Sequence, residues 1–286
     1  MKSFTSLCIL VWTTSITASP FHYSNSISIE DAAKQGLIKL IIKGKGGFTG
    51  KVIEMKIKNN TTRSLNLKLE AGRRLDSKNN KEQDILVTQA QELFVSANEQ
   101  KKLDINGMCC QAGNACPTAN ADYLVGIMAD TNLIKLAEFI DKNKYYENYT
   151  AQQAVWCISD NKSLASIYGG DKDIVKNVRS YVSLVTGKPI PSYNITYRQE
   201  HDSISIGRPL KIEGIFDYNL NATGHITLAI FNSEGKIVQY ICKELAHNKG
   251  EHKIYYTFRT KDLPEGTYYA RMTNNGRIEK EMKIEF

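Results

Sequence analysis

Hydrophobic and polar positions alternate along much of this chain, and they do so with two different periods. Residues 37–45 (LIKLIIKGK) are rich in β-branched side chains and run into a turn cluster at Gly44-Lys45-Gly46-Gly47. Residues 51–58 (KVIEMKIK) alternate strictly, with Ile53, Met55 and Ile57 on one side and Val52, Glu54, Lys56 and Lys58 on the other. A period of two marks a strand with one buried face. After a turn at Asn59-Asn60-Thr61-Thr62, residues 64–69 repeat the pattern with Leu65, Leu67 and Leu69 inward. A polar stretch, 73–83, leads to two more expected strands, 84–95 and 101–105. Five strands with turns between them predict a β-sandwich. Residues 20–36 read as irregular, apart from a helical turn at 29–35.

The period then lengthens. Residues 107–120 form a cysteine-rich loop, and residues 132–145 place Leu133, Leu136, Ala137 and Ile140 on one helical face, with Asp130 or Thr131 as cap. Thr150 is the expected cap of a second helix, 151–159. Asp171 is the expected cap of a third, whose stripe is Ile174, Val175, Val178, Val182 and Val185. Gly187-Lys188-Pro189-Ile190-Pro191 stops that helix and opens a linker. From about residue 197 the period returns to two, with strands expected at 210–216, 225–231, 236–242, 253–258, 267–272 and 278–286. Asn232-Ser233-Glu234-Gly235 and Asn274-Asn275-Gly276 are tight hairpin turns, because Asn and Gly tolerate the positive φ such turns need. The spacing fits an immunoglobulin-like sandwich.

The expected fold is therefore mainly β with some α: an N-terminal β-sandwich plus three helices, then a C-terminal immunoglobulin-like β-sandwich. The expected bounds are 20–190 for the first domain, 191–196 for a linker and 197–286 for the second. Residues 1–19 read as a signal peptide. Lys2 supplies the positive start, residues 7–12 a short apolar core, and Ile16-Thr17-Ala18-Ser19 a cleavage site. The apolar run is too short to span a bilayer, which needs about 20 residues. A secreted, periplasmic or cell-surface location follows as an expectation.

Charge and cysteines narrow the chemistry. The formal net charge is +7, with Lys and Glu dispersed rather than clustered. A dispersed basic balance does not make a nucleic-acid footprint, which gathers on one face. Five cysteines remain after cleavage: Cys109, Cys110, Cys116, Cys157 and Cys242. Disulfides are the default outside the cytoplasm. Cys110 with Cys116, and Cys109 with Cys157, are the expected pairs, and the odd count leaves Cys242 over. A zinc site from Cys109, Cys110 and Cys116 lacks both the usual knuckle spacing and a nearby histidine. His22 lies in the N-terminal tail of the first domain, and His201, His225, His247 and His252 all follow that domain, so its central part has no imidazole for a nucleophilic pair. No phosphate loop or G-x-S-x-G elbow occurs. No enzyme activity, cofactor or metal is expected. A carboxylate pair for glycoside hydrolysis stays open among 30 acidic residues. Asn148-Tyr149-Thr150 and Asn221-Ala222-Thr223 are glycosylation sequons.

Two resemblances add to this reading. Residues 149–160, YTAQQAVWCISD, resemble the glutamine segment of secreted thioester-domain adhesins, in which Gln precedes Trp by four residues, as Gln152 precedes Trp156 here. Residues 37–160 as a whole resemble a wider group of exported proteins with a β region, Ala71-Gly72 after a strand, a cysteine loop and Gln-x-Ala-Val-Trp. In those adhesins a Cys sulfur displaces the Gln carboxamide nitrogen, and the thioester then acylates a surface amine. The resemblance implies Gln152 with Cys109 or Cys110 as candidate thioester partners. The C-terminal segments HITLAIFNSEGKIVQYI and LPEGTYYARMTNNGRIEKEMKIEF resemble the immunoglobulin-like modules of secreted bacterial proteins, both flagellar-hook-cap-like modules and type IX sorting domains.

Gln152 and Trp156 also have a packing account. Four residues apart, they share a helix face, so Trp156 would plug the seam between sandwich and helices while Gln152 bonds a strand edge. Trp156, Tyr145, Tyr146 and Tyr149 are the candidate ligand platform, since Tyr and Trp favour interfaces. The expected function is an exported, non-enzymatic binding or adhesion protein for an extracytoplasmic protein or glycan ligand. The alternative is a covalent adhesin carrying an internal Cys–Gln thioester.

Overall fold

A computed structural model describes residues 26–197 and 209–286. The signal peptide expected at 1–19 lies outside the described residues, as do His22 and His201. The first region opens with β1 (Ile27–Ser28) and α1 (Ile29–Lys34), followed by β2 (Ile38–Lys45), β3 (Lys51–Asn59), β4 (Leu65–Leu69), β5 (Arg73–Ser77), β6 (Ile85–Val87), β7 (Gln91–Val95), β8 (Gln100–Cys109) and β9 (Ala119–Met128). Helices α2 (Thr131–Asn143), α3 (Tyr149–Ser159) and α4 (Lys172–Thr186) come next, with a single 3-10 turn, Leu164–Ser166, between the last two. The second region holds β10 (Tyr193–Tyr197), β11 (Pro209–Leu220), β12 (Gly224–Asn232), β13 (Ile237–His247), β14 (Gly250–Arg259), β15 (Thr267–Asn274) and β16 (Arg277–Glu285). The protein is mainly β with helices, as its periodicity predicts.

The first β region closes on itself. Its strands form a barrel in the order β2-β3-β8-β6-β5-β9, and β1-β4-β7 form a separate three-stranded sheet. Closure needs two strands absent from the expected set, β5 and β9, and it needs residues 84–95 to be two strands. Val87 pairs with Gly107 in the barrel, whereas Gln91 pairs with Leu69 in the other sheet. The backbone changes sheet between them, and there the Ala90 N–H donates to Asp141 Oδ2 of α2 at 2.9 Å. Ile53, Met55 and Ile57 are buried on the expected face of β3, and Leu65, Leu67 and Leu69 on that of β4. Both sets belong to one apolar cluster.

The helices cover one side of the barrel. Asp130 caps α2 through Oδ1, as expected. Helix α3 starts two residues earlier than expected, because the Asn148 side chain, not that of Thr150, accepts from the Thr150 and Ala151 N–H groups. The Thr150 hydroxyl instead donates to Tyr168 O at 3.1 Å. Asp171 caps α4, and Gly187 ends it with φ of 71°, the left-handed conformation glycine takes without strain. Leu136, Ala137, Ile140, Ala154, Val155, Val178 and Val182 form a second cluster between the helices.

The second region is a sandwich of two sheets, β10-β11-β14 and β13-β12-β15-β16. It starts at β10, inside the stretch expected to be linker and its immediate sequel, because Ile195 pairs with Ile212 and enters the sandwich core. Asn275 and Gly276 turn the β15–β16 hairpin with φ of 47° and 79°. Among the described residues no helix is long and apolar enough to cross a membrane.

Candidate functional site

Helix α3 carries the motif residues, and its sequence decides how they are used. Ala151, Ala154, Val155 and Cys157 face the other helices. Gln152 and Trp156, one turn apart, face the barrel. Trp156 has no exposed surface and joins the barrel cluster rather than the helical one. Gln152 is equally buried. Its Oε1 accepts the Cys109 N–H at 2.9 Å, and its Nε2 donates to the Cys109 carbonyl at 2.8 Å. The carboxamide thus pairs with the last residue of β8 as a neighbouring strand would. A buried amide with both ends bonded is stable, whereas one left open costs about 1–3 kcal/mol per group.

Trp156 leads to a residue that the sequence reading missed. Its indole N–H donates to Gln83 Oε1 at 3.1 Å. Gln83 is fully buried, and its other bonds run to the cysteine loop and to β9. Nε2 donates to Asn114 O at 3.0 Å, the backbone N–H donates to Ala115 O at 3.0 Å, and its carbonyl accepts from the Tyr123 hydroxyl at 3.1 Å. Gln83 therefore ties α3, the loop after β8 and β9 together. Its place in a polar stretch (SKNNKEQD) hid it, since nothing in that composition separates one buried glutamine from its exposed neighbours.

All five described cysteines are in the reduced state in this structure. The expected pairing of Cys109 with Cys157 fails because the two lie in different cores: Cys109 in the barrel cluster, Cys157 among the helices. There the Cys157 thiol donates to Lys162 O at 3.2 Å. Cys110, the first residue past β8, also faces the helical cluster, because the chain there keeps the strand's alternation: Met108 and Cys110 lie in that cluster and Cys109 in the other. The Cys110–Cys116 pairing fails for that reason, and Cys116 packs instead beside Cys109. The Cys109 thiol is held well above the usual thiol range, first by a hydrogen bond to Cys116 and then by burial. Burial pushes Cys110 up to about 12 and Cys157 up to about 11. Burial of that kind makes Cys110 and Cys157 poor nucleophiles, whereas the hold on Cys109 depends first on its hydrogen bond to Cys116. Among the described residues no group of three or more His, Cys, Asp or Glu is placed to hold a metal ion.

The aromatic platform does not assemble. Trp156 is wholly enclosed. Tyr145 packs edge-on to Phe139 at 6.0 Å, and the Tyr146 hydroxyl donates to Asp141 Oδ1 at 2.6 Å. Tyr149 meets Phe48 and Tyr168 edge-on at 5.7 and 5.9 Å. All three are half-buried packing residues on different neighbours.

An open concavity lies elsewhere, where the helices meet the second sandwich. A cleft of about 710 Å³ is lined by Lys162, Lys188 and Pro191 from one side and by Tyr197, Glu265, Lys283 and Phe286 from the other. Lys188 is engaged, its Nζ donating to Asn161 Oδ1 at 2.6 Å. Lys162 is half-buried and lies beyond ion-pairing distance of the described carboxylates; burial lowers its pKa, against the opposing pull of Asp160 and Glu265. The volume falls within the usual range for a small-ligand site, and aromatic rings beside a few charges are the usual lining.

No protein-family model and no curated protein matches this chain.

Proposed function

We propose that the protein is an exported, non-enzymatic binding or adhesion protein that engages a protein or glycan ligand in the cleft between its helical layer and its C-terminal sandwich. The cleft itself carries this reading: it is concave, it combines aromatic and charged groups, and both regions contribute to it. The enclosed thiols and the fully bonded Gln152 support a role without covalent chemistry. Binding of the purified chain to arrays of glycans and peptides, repeated with Lys162→Ala, tests it. Hits that weaken at least tenfold in the variant support the cleft, while hits indifferent to Lys162 and to Tyr197→Ala place the ligand elsewhere.

One observation favours the covalent alternative. Of all the cysteines, the structure brings the backbone of Cys109 to the Gln152 carboxamide. A thioester would join the Cys109 sulfur to the Gln152 side-chain carbonyl carbon, with ammonia leaving. Methylamine would then add to Gln152 and release the Cys109 thiol.

A further inference from the structure

We propose that Cys109 and Cys116 are the disulfide-forming pair of this protein, and that their bond staples the cysteine loop across the end of the barrel. The backbone sets up the approach. Strand β8 ends at Cys109, which pairs with Ile85. The chain leaves through residues 110–114 and returns against the segment just before Ile85. Ala115 bridges Glu82, its N–H donates to Lys81 O at 2.9 Å, and its carbonyl accepts from the Gln83 N–H at 3.0 Å. Cys116 is thereby returned to the barrel end that Cys109 faces. Both side chains pack in the barrel cluster, and their thiols lie within hydrogen-bond reach of each other.

The other thiols are directed elsewhere. Cys110 and Cys157 belong to the helical cluster, and Cys242 belongs to the second sandwich. The alternation of β8 therefore separates two adjacent cysteines into one that has a sulfur partner and one that does not.

Exposure gives the reaction an order. Cys116 is partly exposed and Cys109 has no exposed surface. Cys116 loses its proton and attacks a small-molecule disulfide, expelling one thiol of the oxidant and forming a mixed disulfide. Cys109 then loses its proton and attacks the Cys116 sulfur, expelling the second thiol. Two protein thiols are oxidised and one oxidant disulfide is reduced to two thiols, with the protons passing to the expelled thiolates. The product closes a short loop and removes its freedom in the unfolded chain. It also engages the Cys109 sulfur, so this disulfide and a Cys109–Gln152 thioester exclude each other. Neither the bond nor its test depends on where the protein resides or on the cleft.

The test is differential alkylation of the folded, full chain after incubation with oxidised glutathione. One alkylating label is applied before reduction under denaturing conditions, and a second label after it. The expected pattern places the second label on Cys109 and Cys116 and the first on Cys110, Cys157 and Cys242, with a thermal midpoint raised by about 5 °C over the reduced protein. Cys116→Ser should remove the second label from Cys109, and Cys110→Ser should leave the pattern intact. A second label on Cys110 or Cys157 in place of either residue, or the first label on both Cys109 and Cys116, would overturn the proposal. The wild-type pattern decides the matter even if a variant fails to fold.

Discussion

The two β regions of this protein solve the same packing problem with different materials. In the C-terminal sandwich the buried side chains are almost all apolar, and Thr260 is its single buried polar residue among those described. The first region buries Asn59, Arg73, Gln83, Asn106, Gln152 and Gln153, among others. The sandwich has two sheets that need only face each other. The barrel must close, take helices on one side and return a cysteine loop to its end, and side-chain amides make the joins where no strand is available. Gln152 substitutes for a strand at Cys109, and Gln83 bonds three elements at once. Geometry that directional bonds define is more specific than apolar contact, and it is also more fragile, because each lost partner orphans another.

That contrast can be tested from its strongest point downward. Trp156→Ala should be the most damaging, removing a fully buried ring and leaving Gln83 Oε1 without its donor. We expect a loss of about 4 kcal/mol or more in chemical denaturation. Gln152→Leu comes next. It strands the Cys109 carbonyl and leaves the Cys109 N–H only a long contact to Phe48 O at 3.4 Å, so we expect a loss of about 2–3 kcal/mol. A loss below ~1 kcal/mol there would remove the amide seam from the comparison.

Acid should act on the first region in a directed way. Glu30 has its pKa lowered, first by its hydrogen bond to Lys34 and also by Arg73, against the opposing effect of burial. A carboxylate whose folded pKa lies below its unfolded value adds stability above the unfolded pKa, about 4.3, and loses it as pH falls through the folded one. The wild-type advantage over Glu30→Gln should therefore be present near neutrality and shrink on acidification below about pH 4, read as the gap between their denaturation midpoints. A gap that does not change with pH would dissociate Glu30 from its cationic partners. The smallest effect belongs to the sandwich. At Gly276, φ is 79° and an added Cβ would meet nothing within 4 Å, so Gly276→Ala should lose only the roughly 1 kcal/mol of left-handed strain.

The same contrast explains what was legible in the chain. Most sandwich strands and both hairpin turns were readable because the central strands β12 and β15 keep their alternation despite the register shifts along β13, and Asn275-Gly276 announces its own turn. Strand β10 was the exception, lying at the edge of a proline-rich stretch. In the first region, β3 and β4 were readable for the same reason. Strand β5 was not, because Arg73 is buried against Glu30 and Glu70 and so reads as surface. Strand β9 was hidden by Leu124 and Ile127, which are large, apolar and exposed. At the candidate site, the shared face of Gln152 and Trp156 was readable from their spacing. Their partners were not, because Cys109 lies 43 residues from Gln152 and Gln83 lies 73 from Trp156.

The central claim is that the Gln152 carboxamide is a structural clasp in a non-covalent binding protein. The most direct measurement is the intact mass of the purified protein, reduced with a phosphine rather than a thiol and denatured in acid, with and without prior exposure to methylamine. The account predicts the full mass of the unmodified chain and no change on methylamine treatment. A deficit of one ammonia, converted by methylamine to an adduct on Gln152, would contradict it and make the protein a covalent adhesin.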